Sequence, residues 1–236
     1  MIRTLVLALA VAACPAAAGA QSFASIFTQL PSDFRHLAQP SNLLILGSTG
    51  ASSLALHPED ESIALKTKDP DQFYSAGDLL GQGAIHAAAG LAIYVGGRIG
   101  HNERAGQLGV DLLQGQIVSG LITNGLKFAA NRTRPDGAKY SFPSGHTSSA
   151  FATASVLQRR FGWKVGVPSY VVASYVGASR VATSHHFVTD VLFGAGIGIA
   201  AGRATTFALH GASVTVTPAI TRNSATLNFT VRHLEP

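Results

Sequence analysis

Cysteine and charged side chains are both scarce in this sequence. Cys14 is the only cysteine among 236 residues, so an internal disulfide is excluded. Charged residues make up 12% of the chain, about half the share of an ordinary soluble domain, and hydrophobic residues make up 47%. This balance excludes a disordered chain. Lysine and arginine are too scattered to track a phosphate backbone, which argues against a nucleic-acid partner.

The first twenty residues have the pattern of a signal peptide. Arg3 supplies a positive start, and Leu5 to Ala13 form an apolar stretch too short to span a bilayer. Ala18-Gly19-Ala20 is a small-residue cleavage pattern, which predicts export to the periplasm or cell envelope. An alternative is lipoprotein processing at Cys14, which Pro15 directly after the cysteine disfavours.

Long stretches rich in Ala, Leu, Val and Gly predict an all-α fold, a bundle of about six helices. The predicted helices are Ser41–Leu56, Leu79–Gly100, Gln107–Ala130, Ser144–Phe161, Val165–Ala182 and Phe187–Leu209. We expect a lead-in with one helix over residues 21–78, the bundle over 79–210, and a C-terminal tail over 211–236. The tail alternates apolar and polar residues and predicts a β-hairpin.

The bundle is either a compact exported domain or a membrane-embedded one. Several predicted helices are near the length that a bilayer needs. Asp111, Gln114 and Asn124 nevertheless lie within one of them, and such groups are costly in lipid. We therefore favour an exported bundle, with attachment to a membrane surface or insertion into the membrane as the alternative.

Three polar clusters interrupt the apolar sequence. In the first, Lys127 and Arg134 are seven residues apart, a spacing that predicts two charges on one helix face before Pro135. In the second, Ser144 and Gly145 precede a helix, where exposed backbone N–H groups form an anion site. By itself, each pattern is more typical of an ordinary helix end.

Two histidines give the second and third clusters their chemistry. His146 stands at the predicted helix start, where it can donate or accept a proton near neutral pH. His186 and Asp190 have the i, i+4 spacing at which a carboxylate orients an imidazole, leaving its other nitrogen free as nucleophile or base. Arg180 is a forked donor suited to phosphate oxygens. No familiar metal-ligand spacing is present, so we expect no metal.

Taken together, the clusters supply what phosphoryl transfer requires: fixed cations, backbone donors, a nucleophile and an acid. The residues alone leave open which histidine attacks. Lys127 to Pro135 reads K-x-x-x-x-x-x-R-P, Pro143 to His146 reads P-S-G-H, and Ser179 to Asp190 reads S-R-x-x-x-x-x-H-x-x-x-D. With these motifs in this order, the chain resembles the type 2 phosphatidate phosphatase superfamily, which includes class A acid phosphatases and vanadium haloperoxidases.

The resemblance implies a metal-independent phosphatase without a cofactor. In family terms His186 attacks phosphorus, Asp190 holds its ring, and His146 protonates the leaving oxygen. The phosphoryl oxygens would be bound by Lys127, Arg134, Ser144, Gly145 and Arg180. The expected substrate is a phosphomonoester or diphosphate, either a lipid phosphate or the soluble ester of an acid phosphatase. Vanadate would be an inhibitor.

Two other functions stay open from the sequence. A vanadium haloperoxidase would hold vanadate as a cofactor on the same residues, with His186 as its ligand, but this chain is short for that branch. A phosphate-binding protein without catalysis would not need His146 opposite an oriented nucleophile, and it ranks lower.

Overall fold

The computed structural model describes residues 23–69, 72–206, 212–221 and 224–233. The predicted signal peptide and Cys14 lie outside these residues. The helices are α1 (Ser25–Thr28), α2 (Leu30–Leu37), α3 (Pro40–Leu56), α4 (Asp60–Thr67), α5 (Ala76–Gly81), α6 (Gly83–Ile99), α7 (Glu103–Ala130), α8 (Gly145–Phe161), α9 (Trp163–Ala182) and α10 (Val188–Thr205). Short 3-10 turns cover His57–Glu59 and Gln72–Tyr74.

The all-α class is confirmed, but the number of helices was predicted too low. In the described part of the chain, eight helices are eight residues or longer, rather than about six. The additional helices lie in the lead-in, where only one was expected. Prolines begin several of these segments, and proline is well tolerated in the first turn of a helix because no N–H is needed there.

The predicted helix Leu79–Gly100 is in fact two helices. Gln82 has an extended backbone, with φ −66° and ψ 116°, which separates α5 from α6. Gly81 ends α5 against the His146 side chain, and a Cβ at Gly81 would lie 2.7 Å from His146 Cβ. The apolar run hides this break because both segments are equally rich in small residues.

Helix α7 packs against α6, α8 and α10 in the centre of the bundle. Its approach to α6 is close, because a Cβ at Gly109 would lie 2.4 Å from Tyr94 N. The interior includes Val110 and Val118, both fully buried. Asp111 is also buried, where it accepts a 2.6 Å bond from Arg160 Nε on α8. Gln114 is buried as well, and its Nε2 donates to Gln29 Oε1 at 3.0 Å, whereas Asn124 is exposed.

None of the helices in the described ranges is both long enough and apolar enough to cross a membrane.

After the helices, strand β1 (Ala212–Thr221) pairs antiparallel with β2 (Ser224–His233), with Ala212 opposite His233. The predicted hairpin coincides with these strands. None of the site residues described below belongs to them.

Candidate active site

His186 and Asp190 meet as their spacing predicts, but not on one face of a helix. Helix α10 begins only at Val188, so His186 lies in the preceding loop and Asp190 in the first turn. The two side chains approach to 3.5 Å between Nδ1 and Oδ2. Such separations are common in ligand-free catalytic sites and shorten when substrate binds. The carboxylate thus faces Nδ1, which leaves Nε2 for chemistry.

Asp190 is fully buried and held by several donors. Its Oδ2 accepts bonds from the Ser141 hydroxyl and from Phe187 N, the latter at 2.9 Å. Its Oδ1 accepts a 2.8 Å bond from the Arg132 guanidinium. Burial alone would raise the pKa of Asp190, but the nearby His186 ring, the bond from Ser141 and the Arg132 charge outweigh it and lower that pKa. The carboxylate is therefore ionised and fixed in orientation.

The backbone fixes His186 from the other side. The N–H groups of His185 and His186 both donate to the Arg180 carbonyl oxygen, each at 3.0 Å. The His186 side chain is buried, and this burial lowers the pKa of His186 although Asp190 opposes the shift. His185 turns aside to Thr183, with Nδ1 and Oγ1 2.9 Å apart. The ring beside Asp190 is consequently that of His186, which is neutral near pH 7.

Helix α8 begins directly after Ser144, whose backbone N–H is not available to bind an anion. Ser144 is the N-cap, whose Oγ accepts from Thr147 N at 3.4 Å. Its own N–H already donates to the Asp190 carbonyl oxygen at 3.0 Å. The first turn of α8 therefore offers the N–H groups of Gly145 and His146 to a ligand.

His146 has a carboxylate partner that the sequence analysis missed. Its Nε2 lies 3.3 Å from Asp78 Oδ1, and the same oxygen accepts a 2.7 Å bond from the Arg180 guanidinium. Burial lowers the pKa of His146 to about 4; the Arg180 charge adds to this effect and Asp78 opposes it. A bound phosphoryl dianion would also oppose it, because a negative charge favours the imidazolium form.

Two glycines bring Asp78 to this position. A Cβ at Gly77 would meet the Ser179 side chain, and a Cβ at Gly81 would meet that of His146. Helix α5 therefore packs closely against the second and third motifs, and Asp78 lies between its two contacting glycines. A carboxylate between glycines four residues apart was the only sequence signal, and it is a weak one.

Lys127 and Arg134 do not share a helix, contrary to the prediction. Helix α7 ends at Ala130, and Asn131 adopts a left-handed conformation with φ 42°. Both cations nevertheless reach the site. Burial lowers the pKa of Lys127 to about 8, with the nearby Arg134 charge adding and Asp190 opposing. Arg134 Nε is buried without a hydrogen-bond partner in the described part of the protein, so it can still bind an anion.

The charged groups of the three motifs lie close enough to shift each other's pKa values. The charges of Lys127, Arg134 and Asp190 affect the pKa of His186. The pKa of His146 is affected by Arg180, Asp78, His185 and His186. Within the described ranges, no group of three or more His, Cys, Asp or Glu residues could hold a metal ion. The arrangement can bind a tetrahedral anion between two histidines.

A groove of about 440 Å³ leads away from this site between α6, α7 and α8. Gly145 and Ser148 line its inner end beside the anion site. Its other walls combine small or apolar residues, Ala84, Ala87 and Gly120 among them, with the polar side chains of Gln116 and Asn124. The groove is therefore continuous with the position of a phosphate and suits an apolar group attached to it.

Comparison with known proteins indicates one superfamily. The model of the PAP2 superfamily matches residues 108–212, which include all three motifs. A solved relative, the transmembrane PAP2 type phosphatidylglycerolphosphate phosphatase of Bacillus subtilis, aligns with a TM-score of 0.59 and 25% identity. The alignment covers 71% of this chain and 93% of that one.

Two curated relatives are named as lipid A phosphatases. The lipid A 1-phosphatase of Porphyromonas gingivalis is 33% identical over 156 residues, or 64% of this chain and 35% of its own length. The lipid A 4'-phosphatase of Helicobacter pylori is 31% identical over 96 residues, or 36% of this chain and 48% of its own length. The chain thus spans about a third to a half of these curated relatives.

Proposed function

Since residues 108–212 of this chain belong to the PAP2 superfamily, we propose that the protein is a metal-independent phosphatase acting on a lipid phosphate through a phosphohistidine. The observation that carries the proposal is the opposition of two histidines across an anion site. One, His186, is oriented by a buried carboxylate, and the other, His146, pairs with the exposed Asp78. Lys127, Arg134 and Arg180 would bind the phosphoryl oxygens.

In the first step, His186 Nε2 attacks phosphorus. An N–P bond forms as the P–O ester bond breaks, and the leaving oxygen takes a proton from His146. The product alcohol departs, and the phosphoryl group stays on His186. The cations and the N–H groups of Gly145 and His146 stabilise the charge on the equatorial oxygens.

In the second step, a water molecule attacks the phosphohistidine. His146, now neutral, accepts a proton from that water as the new O–P bond forms and the N–P bond breaks. Inorganic phosphate leaves, His186 is neutral again and His146 is protonated again. One histidine therefore serves as acid and then as base.

The groove and its surroundings support a lipid phosphate as substrate. Large apolar side chains are exposed on the segments that flank it, including Leu80, Ile85, Leu121 and Phe128. Its volume suits part of an acyl or isoprenoid chain. The relatives named as lipid A phosphatases favour the same class. Together with the predicted signal peptide, this supports a reaction in the cell envelope.

The proposal is tested by assaying p-nitrophenyl phosphate beside phosphatidic acid in mixed micelles. We expect turnover of phosphatidic acid, survival of activity in EDTA, and competitive inhibition by vanadate. Loss of activity in EDTA that a divalent ion restores would contradict the metal-independent mechanism. Turnover of the soluble ester alone would support a broad acid phosphatase instead.

The role of the groove is tested with one pair of glycine variants on α7. A Cβ at Gly120 or at Gly125 meets nothing within 4 Å, so both accept a larger residue, but only Gly120 lines the groove. We expect Gly120→Leu to lower kcat/KM for phosphatidic acid about 10-fold or more while sparing p-nitrophenyl phosphate. The control Gly125→Leu should alter neither. Equal effects of the two variants on phosphatidic acid would contradict the groove assignment.

A further inference from the structure

A partly buried arginine connects the carboxylate behind His186 to a second carboxylate from the N-terminal part of the chain. Arg132 donates at 2.8 Å to Asp190 Oδ1 and at 2.7 Å to Asp60 Oδ2. Its guanidinium carbon lies 4.2 Å from the centre of the Phe187 ring. Arg132 occupies a variable position of the first motif, and Asp60 lies outside the region that the family model matches.

Asp60 also binds the residue next to Asp190. Its Oδ1 accepts from Thr189 N at 3.2 Å, and its Oδ2 accepts from the Thr189 hydroxyl. Only 2% of Asp60 is exposed, and His57 Nδ1 lies 3.3 Å from its Oδ2. A single carboxylate on α4 thus fixes both Arg132 and the first turn of α10.

The order of charges explains why two carboxylates are needed. Alone with Asp190, the Arg132 guanidinium would draw the negative charge of Asp190 away from the His186 ring. Asp60 neutralises Arg132 from the opposite side, so Asp190 keeps its charge toward Nδ1 of His186. The planar fork of arginine also sets the angle between the two carboxylates, which a lysine ammonium does not.

We propose that Asp60 is a positioning residue for His186, acting through Arg132 and Thr189 on the orientation and charge of Asp190. This inference rests on the proposed function, since it assigns Asp60 to the nucleophile of that reaction. It places part of the catalytic apparatus in α4, in the segment before the motifs.

The chain offers a matched control for the test. Asp111 accepts a 2.6 Å bond from Arg160, and both side chains are largely buried. Asp111 and Lys127 lie on the same helix, and a rise of about 1.5 Å per residue separates them by about 24 Å. We expect Asp60→Asn to lower kcat for p-nitrophenyl phosphate about 10- to 100-fold with KM little changed. Asp111→Asn should lower thermal stability comparably and leave kcat within about twofold.

The pH profile separates positioning from general stability. With Arg132 uncompensated, beside Lys127 and Arg134, the pKa of His186 falls in Asp60→Asn, so the acidic limb of kcat/KM moves to lower pH. Thr189→Val removes a hydroxyl but no charge, and should reduce kcat without moving that limb. If Asp60→Asn does not fold, Thr189→Val decides, and kcat within about twofold of wild type would overturn the proposal.

A double variant tests whether the effect passes through Arg132. We expect Asp60→Asn with Arg132→Lys to be no worse than the poorer single variant, because both remove the same support. Fully additive losses, or a folded Asp60→Asn protein with wild-type kcat and pH profile, would overturn the inference. His186→Ala keeps the two proposals distinguishable: if it stays active, the proposed function itself fails, whatever Asp60 does.

Discussion

The two sides of the candidate site are built differently. His186 and Asp190 are 3% and 0% exposed and are held by buried polar groups, whereas His146 and Asp78 are 32% and 55% exposed. The first pair lies in the interior of the bundle, and the second is partly open to solvent. The difference fits the division of labour in the proposed reaction, because a nucleophile needs fixed geometry, whereas an acid must meet leaving groups and water.

The largest effect is expected on the buried side. His186→Ala should reduce kcat by about 10⁴-fold or more, because it removes the imidazole that Asp190 orients as the nucleophile. The loss should be similar for p-nitrophenyl phosphate and for phosphatidic acid, since both need the same attack. Steady-state assays with a circular dichroism check of folding measure it. Substantial remaining activity would break the comparison.

On the open side, His146→Ala should lose less, about 10²- to 10⁴-fold. Here the loss should depend on substrate, because p-nitrophenolate leaves without a proton whereas an alkoxide does not. Phosphatidic acid should therefore suffer more than p-nitrophenyl phosphate in the first step, which single-turnover kinetics isolates. Equal losses on the two substrates would contradict the acid role of His146.

Asp78→Asn should have a smaller effect, about a 10-fold loss of kcat at neutral pH. Without Asp78 the pKa of His146 falls further, so less of the acid form is present and the basic limb of kcat moves to lower pH. KM should not rise, because Arg180 becomes free to bind phosphate. Glu103→Gln serves as the charge control, because Glu103 is an exposed carboxylate at the N-terminal end of α7, whereas Lys127 of the site lies at its C-terminal end. An unchanged pH profile in Asp78→Asn would contradict the claim that Asp78 affects the protonation of His146.

The smallest effect is expected at His185. Its ring pairs with Thr183 rather than with Asp190, so His185→Ala should keep kcat within about twofold of wild type. The variant shares its assay with His186→Ala and tests the register of the third motif. If His185→Ala folds but is inactive, the assignment of the nucleophile to His186 is wrong.

Much of the fold could be predicted because long apolar segments fix helix positions. The structure places helices in each predicted range, and α9 differs by two residues at its start. The break at Gln82 and the small helices before residue 78 were missed, since they depend on packing against distant motifs rather than on local periodicity. Gly81 against His146 is such a contact.

The motif residues could be selected from the sequence as candidates, whereas the residues that support them could not. The motifs point to His186, Asp190 and His146 without any knowledge of the fold. Asp78 lies 102 residues from Arg180 along the chain, and Asp60 lies 72 residues from Arg132. Local patterns in a single sequence do not reveal such long-range contacts, because helix packing brings the two residues together.

The central claim is that His186 carries the phosphoryl group, and trapping with an alkaline denaturing quench tests it most directly, because the N–P bond of phosphohistidine hydrolyses in acid. His146→Ala protein is mixed with p-nitrophenyl phosphate, quenched, digested and analysed by mass spectrometry under conditions that preserve phosphohistidine. We predict a phosphoryl group on the peptide containing His186, accumulating because the water-activating base is missing, and its absence in the variant that also carries His186→Ala. Phosphate on His185, or turnover with no phosphorylated peptide at any time, would contradict the account.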